Sequence, residues 1–415
     1  NYPMAIVKPF RAVRPTRDKA SLVTTRSYEL YDTKERSAIL RYNPFSFLHI
    51  LEPGFKFNKV VKGMERFKLV NNRFLEFKEN EIFLKEEDPV FYLHEKSFGD
   101  QIFWGIIAVC SVEDYEGSVI KKHENTLAER EKLFGQYLEI AGFNAEPVLI
   151  TYPDQIEIDN LYNRYSAERP EYEFTTNKKR KHQLWVINDP ADIELIEKTF
   201  DDIPFLYIAD GHHRSASSHY LKNLLKNKNS AHTGDEFYNY FMTYLIPESN
   251  LHISSFDRFI KKLPISKEDF LVQLDAFFRI EILGSTLYRP SKKHHFSMYL
   301  DGDYYKLYLR NEKYVIKNAL DDLDAQVLYN TILKPILNID DLSSDKNIVY
   351  MAEKENVNQL KTVVDEKKYA MGFGLFPVTT EQLKAVADAK LIMPPKSTYI
   401  QPKLRSGLTI YELTE

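Results

Sequence analysis

The distribution of hydrophobic and polar residues along the chain predicts strands that alternate with helices. Compact apolar runs, rich in aromatic and β-branched residues, cover Gln101 to Val112, Pro147 to Ile150, Leu184 to Ile187 and Ile203 to Ala209. Between these runs, apolar residues recur at three- and four-residue intervals, as they do on one face of a helix. Such interleaving indicates a mixed sheet with helices rather than an all-β protein. We therefore predict an α+β (mixed α/β) fold.

The length of the chain predicts two domains, because 415 residues exceed the usual size of a single hydrophobic core. The polar stretch Lys226 to Asp235 contains a glycine, so we place the boundary there and predict domains at residues 1–232 and 233–415. Outside the runs above, we predict a strand at Phe45 to Ile50 and a helix at Asn356 to Asp365.

Composition excludes several classes of protein. The net charge of −4 provides no global basic field, so we do not expect nucleic acid as a partner. The single cysteine, Cys110, excludes an internal disulfide framework and fits a reducing cytoplasm. No stretch approaches the roughly 20 apolar residues that a membrane helix needs. We therefore expect a cytoplasmic protein without a membrane partner, and whether it forms a homodimer stays open.

The candidate chemistry concentrates where the run Ile203 to Ala209 meets Asp-Gly-His-His-Arg, at positions 210–214. The spacing of apolar residues from Ser215 to Lys226 predicts a helix, which places a helix N-terminus at this motif. The first amides of a helix lack internal partners and bind anions. Gly211 lets the backbone approach a ligand closely, and Arg214 can donate two parallel hydrogen bonds to phosphate. The motif therefore predicts a phosphate site.

Two other interpretations of this motif stay open. Asp210 could serve only to cap the helix, with both histidines on the surface of an ordinary turn. Alternatively, Asp210, His212 and His213 are all residue types that bind metals. Adjacent residues in a helix point about 100° apart, however, which favours different roles for His212 and His213 over joint chelation.

A second polar cluster lies near the C-terminus, between Met393 and Gly407. Within it, Lys396, Ser397 and Thr398 offer one cation and two hydroxyl groups. These groups could bind phosphate or carboxylate, or they could belong to a tail that packs on the surface. The spacing alone favours neither interpretation.

Taken together, these motifs resemble those of the bacterial family catalogued as domain of unknown function 1015. The resemblance covers nearly the whole chain, and the matching stretches are Lys8 to Pro15, Asn43 to Leu48, Ile120 to Thr126, Ala209 to Arg214 and Met393 to Lys403. The chain departs from the family pattern at one place, where Ser27-Tyr28-Glu29 replaces the usual Pro-Tyr-Asp. The acidic residue is kept there, with a longer side chain.

The Asp-Gly-His-His-Arg motif is also similar to the phosphate-binding motif of the ParB/sulfiredoxin-like superfamily. That superfamily includes nucleotide-hydrolysing partition proteins, sulfiredoxins and free serine kinases. The resemblance implies an N-terminal ParB/sulfiredoxin-like core with insertions, followed by a C-terminal α+β domain. The kinases carry a very similar motif and an early acidic residue as candidate base, a role that the resemblance assigns to Glu29.

This resemblance and the motif predict phosphotransfer to a small hydroxylated metabolite, free serine or phosphoserine, with ATP or ADP and Mg²⁺ as cofactors. The residues predicted to bind the nucleotide are Gly211, His212, Arg214, Ser215, Lys396, Ser397 and Thr398, the last three through a return of the C-terminus to the site. His213, with Arg214, would neutralise charge in the transition state. Asp210 would accept a proton or hold Mg²⁺, and Glu29 is the rival base.

Two other functions compete with phosphotransfer. A metal-dependent phosphatase would use Asp210, His212, His123 and Glu124 as ligands and would need no nucleotide. A non-catalytic, ParB-like regulatory module would bind nucleotide whether or not Asp210 and Glu29 are intact.

Overall fold

The computed structural model describes residues 4–353 and 358–414, which form two compact units. The first unit runs to Leu251 and resumes at Pro402, and the second is His252–Gln401. The predicted boundary after residue 232 therefore differs from the division in the structure. The difference arises because the strand Tyr240–Pro247 pairs on both sides within the large sheet of the first unit.

The helices of the described residues alternate with short strands. The α-helices are α1 Ala20–Val23, α2 Thr33–Tyr42, α3 Leu48–Leu51, α4 Gly63–Glu79, α5 Val112–Glu116, α6 Ala128–Ala141, α7 Ile156–Ser166, α8 Pro190–Asp201, α9 His212–Lys228, α10 Lys267–Asp275, α11 Asp324–Leu328, α12 Gln359–Lys367 and α13 Thr380–Asp388. Single 3₁₀ turns occur at Tyr28–Leu30, Pro53–Phe57, Phe237–Asn239, Glu248–Asn250 and Asn311–Lys313, and a π-helical turn at Tyr329–Leu333.

The strands are mostly short. They are β1 Val7–Lys8, β2 Val13–Pro15, β3 Thr25–Arg26, β4 Phe83–Lys85, β5 Phe91–Phe98, β6 Gln101–Ser111, β7 Ile120–Lys121, β8 Phe143–Asn144, β9 Val148–Tyr152, β10 Tyr172–Thr175, β11 Lys181–Ile187, β12 Leu206–Asp210, β13 Tyr240–Pro247, β14 His252–Ser254, β15 Phe256–Ile260, β16 Phe278–Gly284, β17 His295–Leu300, β18 Asp303–Leu309, β19 Ile348–Ala352, β20 Met371–Leu375, β21 Tyr399–Gln401, β22 Arg405–Ser406 and β23 Tyr411–Glu412.

A large mixed sheet organises the first unit. Its strand order is β10-β11-β5-β6-β13-β9-β12-β7, and β1 also pairs with β6. Most neighbours are antiparallel, but β13 runs parallel to β9 and β12 runs parallel to β7. In the second of these parallel pairs, Leu206 lies opposite Ile120 and Tyr207 opposite Lys121. The carboxyl ends of β7 and β12 therefore lie at the same edge of the sheet.

Hydrophobic packing fixes one face of this sheet. Alternate residues of β6, including Ile106 and Ala108, are buried with apolar residues of the neighbouring strands. Helices α7 and α8 contribute to the same core, through Ile158 and Leu161 on α7 and Ile196 and Phe200 on α8. A second core in this unit gathers residues of α4 around Phe143, and it includes Ile410 from the C-terminal segment.

The second unit is built on a six-stranded antiparallel sheet, in the order β16-β18-β17-β20-β15-β19. Its β17–β18 hairpin turns at Asp301 and Gly302, both with positive φ. Helix α13 begins with a capping box, in which Thr379 accepts from the amide of Gln382 and the Gln382 side chain accepts from the amide of Thr379. Within residues 4–353 and 358–414, no helix is both long enough and apolar enough to cross a membrane.

The predicted α+β class is confirmed, because both units combine helices with mixed or antiparallel sheets. The strand predicted at Phe45 to Ile50 is wrong: Leu48–Leu51 is a short helix, and the Ser46 hydroxyl accepts from the Leu48 amide at its start. A short apolar run does not distinguish helix from strand by itself. The helix predicted from Asn356 begins outside the described residues and is present at Gln359–Lys367.

Because α6 packs closely against α9, the effect of Gly135→Ala on stability should change sign when Tyr220 is removed. A Cβ at Gly135 would lie 2.3 Å from the Tyr220 ring, and its nearest contacts all belong to that ring. We expect Gly135→Ala to destabilise the protein by about 1–3 kcal/mol through overpacking. In a Tyr220→Ala background the same change should stabilise by up to about 1 kcal/mol, because alanine favours helix over glycine. Urea unfolding of the four variants measures both effects, and equal signs in the two backgrounds would contradict this packing.

Candidate functional site

The candidate site lies where β12 ends and α9 begins. Asp210 is the last residue of β12, and Gly211 takes the N-cap position of α9 with φ of +100°. This left-handed conformation suits glycine, because a side chain would be strained there. Among the described residues, no side chain caps the helix. The first amides of α9 therefore form the type of helix N-terminus that binds anions.

Arg214 folds back over this turn. A Cβ placed on Gly211 would lie 3.2 Å from the central guanidinium carbon of Arg214, so glycine makes room for the guanidinium. The Arg214 side chain donates to the carbonyl oxygen of Pro147 and lies 3.3 Å from a carboxylate oxygen of Glu146. It nevertheless keeps 35% of its surface exposed. Arg214 is therefore fixed in orientation at the turn and still accessible to a ligand.

Glu146 is itself held by two hydroxyl groups. Ser27 donates to one carboxylate oxygen at 2.6 Å, and Ser406 donates to the other at 3.2 Å. These contacts link the Arg214 guanidinium to the segment before Glu29 and to the C-terminal segment. The serine at position 27, where the chain departs from its family pattern, thus supports the carboxylate that orients Arg214.

Asp210 forms an ion pair across a long sequence separation. Its Oδ2 atom accepts from Lys403 Nζ at 3.0 Å, and 37% of its side chain is exposed. Burial opposes ionisation, but Lys403 and Arg214 outweigh it and lower the pKa of Asp210. Asp210 is therefore ionised at neutral pH. The cations on either side disfavour a lone divalent metal at this carboxylate, the position at which the sequence predicted metal.

His212 points towards the residues that follow β7. Its Nε2 accepts from the backbone N–H of His123 at 3.4 Å, which places the proton of the neutral ring on Nδ1. That Nδ1 lies 3.4 Å from a carboxylate oxygen of Glu124. Burial, with the nearby His123 and other basic groups, lowers the pKa of His212 well below its ordinary value. His212 is therefore a buried, neutral ring that ties α9 to β7.

His123 is fully buried and packs edge-to-face on His212, with ring centroids 4.4 Å apart. Within the part of the chain that the structure describes, neither of its ring nitrogens has a partner with full hydrogen-bond geometry, although the Ile208 backbone lies close enough to raise the pKa of the ring. Burial lowers the pKa of His123 to about 4, although the charge of Asp210 acts in the opposite direction. Together, His123, Glu124 and His212 place three potential metal-ligand atoms within 4.8 Å of one another.

His213 faces a different set of groups, as the 100° rotation between adjacent helical residues predicts. Burial and the charge of Arg130 lower the pKa of His213, while Glu131 and Glu29 oppose that effect. Glu29 lies exposed in the 3₁₀ turn at Tyr28–Leu30 and is near enough to act on His213 electrostatically. The predicted rival base and His213 therefore belong to one side of the site.

The remaining predicted residues lie in less direct positions. The Ser215 hydroxyl donates back to the carbonyl oxygen of Gly211 at 3.3 Å, so it supports the turn. Lys396, Ser397 and Thr398 belong to the second unit. There the Lys396 carbonyl accepts from Arg258, and the Ser397 hydroxyl donates to the Pro394 carbonyl. Their predicted role in nucleotide binding stays a prediction.

Two site residues, Glu146 and Lys403, were not singled out by the sequence analysis. Lys403 lies in the polar C-terminal cluster, seven residues beyond the predicted Lys396, but nothing in its local pattern distinguishes it. Glu146 stands at the start of an apolar run, and its sequence context does not distinguish it from an ordinary solvated acid. A signal that could have identified Lys403 was the predicted return of the C-terminal cluster to the site. In the structure, Lys403 of this cluster lies against Asp210.

Comparison with known proteins supports the family resemblance. A family model described as "Protein of unknown function (DUF1015)" matches residues 7–326. No curated protein matches the chain. Among solved structures, it is similar to SbnI with a C-terminal truncation from Staphylococcus aureus. The identity is 12%, the TM-score is 0.39, and the match covers 74% of this chain and 87% of that one.

Two further structures show a similar partial overlap. A conserved hypothetical protein from Pyrococcus furiosus is 12% identical, with a TM-score of 0.35 and coverage of 74% of this chain and 95% of that one. A free serine kinase in complex with AMP is 10% identical, with a TM-score of 0.34 and coverage of 73% and 91%. At these identities and TM-scores, the overlaps carry no information about the chemistry of the site.

The burial of His123 predicts a pH dependence of stability. Its pKa falls from 6.5 in the unfolded chain to about 4 in the folded protein. Between these values the unfolded state binds more protons, so the folded state loses stability as pH falls through this window. We expect His123→Leu to remove about 3 kcal/mol of acid sensitivity, measured as the change in unfolding free energy between pH 7 and pH 4. Exposed His252→Leu is the control, and parallel pH profiles for wild type and His123→Leu would refute the assignment.

Proposed function

We propose that this chain, which belongs to the family described as "Protein of unknown function (DUF1015)", is a nucleotide-dependent phosphotransferase that acts on a small hydroxylated metabolite. The observation that carries the proposal is the turn at Gly211. Uncapped amides at the start of α9, the Arg214 guanidinium and the ionised Asp210 meet there at the carboxyl end of β12. Ligands of mixed and parallel sheets commonly bind at such strand ends.

The charges at the turn suit a phosphoryl group. The helix amides and Arg214 would bind the phosphate oxygens, and Arg214 would stabilise the charge that develops on them during transfer. Mg²⁺, when bound with the nucleotide, would neutralise phosphate charge. Because the pKa of His213 is lowered, its ring would act as a neutral hydrogen-bonding group instead of a cation.

The transfer itself needs a base for the hydroxyl group of the acceptor. Asp210 is ionised and adjoins the phosphate cradle, and Glu29 lies on the side of His213. Either carboxylate would accept the hydroxyl proton while the acceptor oxygen bonds to the terminal phosphorus. The bond from that phosphorus to the departing nucleotide oxygen breaks in the same transfer. Free serine is the proposed acceptor, or phosphoserine the donor in the reverse direction, with ATP or ADP as the nucleotide.

Substitutions at the turn should separate binding from transfer. We expect Arg214→Ala to weaken the binding of ATP, ADP or AMP at least tenfold, about 1.4 kcal/mol, because a charge-assisted contact to phosphate is lost. Asp210→Asn should retain nucleotide binding and lower turnover at least a hundredfold if Asp210 is the base. Thermal shift and calorimetry measure binding, and phosphorus NMR with serine or phosphoserine measures turnover.

The control for Arg214→Ala is Lys228→Ala, which removes an exposed cation from the far end of the same helix. It should bind nucleotide as wild type does. Full turnover of Asp210→Asn together with loss in Glu29→Gln would transfer the base role to Glu29. Nucleotide binding without turnover in the wild type would favour the ParB-like regulatory module, and unchanged binding in Arg214→Ala would refute the phosphate site.

A metal-dependent phosphatase is the second candidate, and one observation favours it. His123, Glu124 and His212 bring two imidazoles and a carboxylate together, with their potential ligand atoms within 4.8 Å of one another. Two histidines and a carboxylate form a ligand set that zinc accepts. Such a centre would lie at the same sheet edge as the phosphate cradle.

Titration with zinc or manganese tests this second candidate. If the centre binds metal, stoichiometric Zn²⁺ should raise the melting temperature of the wild type and leave that of His123→Leu unchanged. The metal-loaded protein should then release phosphate from a phosphomonoester without nucleotide. Absence of a metal-dependent shift in the wild type would eliminate this function.

A further inference from the structure

A group of basic side chains lies on one face of the large sheet, apart from the turn at Gly211. His94 and Lys96 are alternate residues of β5, and His182 on β11 pairs with Lys96 in the antiparallel register. These three side chains therefore share a face of the sheet. A hydrogen bond of 3.0 Å joins His94 Nε2 to His182 Nδ1.

A tyrosine from a strand two positions away in the sheet contacts the same group of side chains. Tyr244 on β13 shares a 3.0 Å hydrogen bond between its hydroxyl group and His94 Nδ1. It reaches His94 over Gly105, which pairs with His94 in β6, and a Cβ at Gly105 would lie 2.2 Å from the Tyr244 ring. The packing thus holds the His94 and His182 rings on the same face of the sheet as Lys96.

The C-terminal segment Lys403–Ser406 contacts this group through Lys403. Lys96 Nζ donates to the carbonyl oxygen of Lys403 at 2.8 Å. Arg405 donates to Thr24 through Nε, 3.0 Å from the hydroxyl oxygen, and through Nη2, 2.6 Å from the carbonyl oxygen. Arg405 is close enough to lower the pKa of His94, His182 and Lys96 alongside the dominant effect of burial.

Buried charges usually have a partner of opposite charge, and Lys96 and Arg405 have none among the described residues. The contacts recorded for Lys96 and Arg405 in the described chain are a carbonyl group and the oxygens of Thr24, with no carboxylate. Other charges that act on Lys96 come from Arg180, Arg405 and Lys403, and all are positive. Burial and these neighbours lower the pKa of Lys96 to about 8. A partly buried cation without an anionic partner is costly, and an anion between two such cations would relieve that cost.

We propose that Lys96 and Arg405 form a second anion site, which binds the carboxylate or phosphate group of a small metabolite. Lys403 connects this site to the first one, because its carbonyl accepts from Lys96 while its ammonium pairs with Asp210. The metabolite bound here is the acceptor of the transfer, an assignment that rests on the proposed function. The anion site itself depends only on the side chains described above.

Lys96→Met tests the site because it keeps the apolar stem and removes the charge. Calorimetry with inorganic phosphate, serine, phosphoserine and AMP should show at least tenfold weaker binding of an anionic metabolite to the variant. Loss for serine and phosphoserine alike identifies the carboxylate as the bound group, and loss confined to phosphoserine and inorganic phosphate identifies the phosphate. AMP affinity should not change.

The matched control is Lys181→Met, which removes a cation from the adjacent β11 on the opposite face, where Lys181 pairs with Glu173. It should bind all four probes as wild type does. The melting temperature of Lys96→Met without ligand should equal or exceed that of the wild type, since an uncompensated charge is gone. A fall in melting temperature with unchanged anion affinity would overturn the proposal.

A direct measurement on Lys96 gives a second criterion. Carbon NMR of the lysine side chains should show that the pKa of Lys96 rises from about 8 when the anion binds. Anion affinity should accordingly fall as pH rises above 8, because only the protonated ammonium attracts the ligand. An unchanged pKa would overturn the site. Failure of AMP to bind would remove the proposed nucleotide reaction but leave the loss of anion binding in Lys96→Met interpretable.

Discussion

The parallel pairing of β7 with β12 is the constraint on which the candidate site depends. It spans only two residue pairs, yet it fixes the chain after Ile120–Lys121 beside the chain after Leu206–Asp210. Consequently His123 and Glu124 meet His212, although the two motifs lie far apart in the sequence. The edge-to-face packing of the two buried histidines then fixes the start of α9. This arrangement places the first amides of the helix at the edge of the sheet where β7 and β12 end.

The site combines charged side chains with buried histidines that are neutral. Asp210 and Arg214 are charged, but each already has a partner of opposite sign, Lys403 and Glu146 respectively. His123 and His212 are neutral because they are buried. At the proposed phosphate site, a ligand anion would therefore meet charges that are held in position before it arrives. Such preorganisation lowers the cost of ordering side chains on binding.

Local sequence patterns predicted the turn well and its surroundings poorly. The apolar run before Asp210 predicted β12, and the spacing after Ser215 predicted α9, because both signals repeat within a few residues. Gly211 has the positive φ that an Asp-Gly turn favours. The pairing of Asp210 with Lys403 joins residues 193 positions apart, and no local periodicity encodes such a contact. The pairing of β13 within the large sheet is also a non-local contact. Because of it, the first unit extends to Leu251, beyond the boundary predicted after residue 232.

The return of the C-terminal segment has a consequence for synthesis of the protein on the ribosome. Arg405 bonds to Thr24 across 381 positions, and Lys403 is the counter-ion of Asp210. The strands of the large sheet all precede Lys403 in the chain, so they can pair before this counter-ion has been translated. Until then Asp210 lies beside an anion cradle without its main cation. A nascent chain therefore completes the charge balance of this turn only after the second unit, His252–Gln401, has been translated.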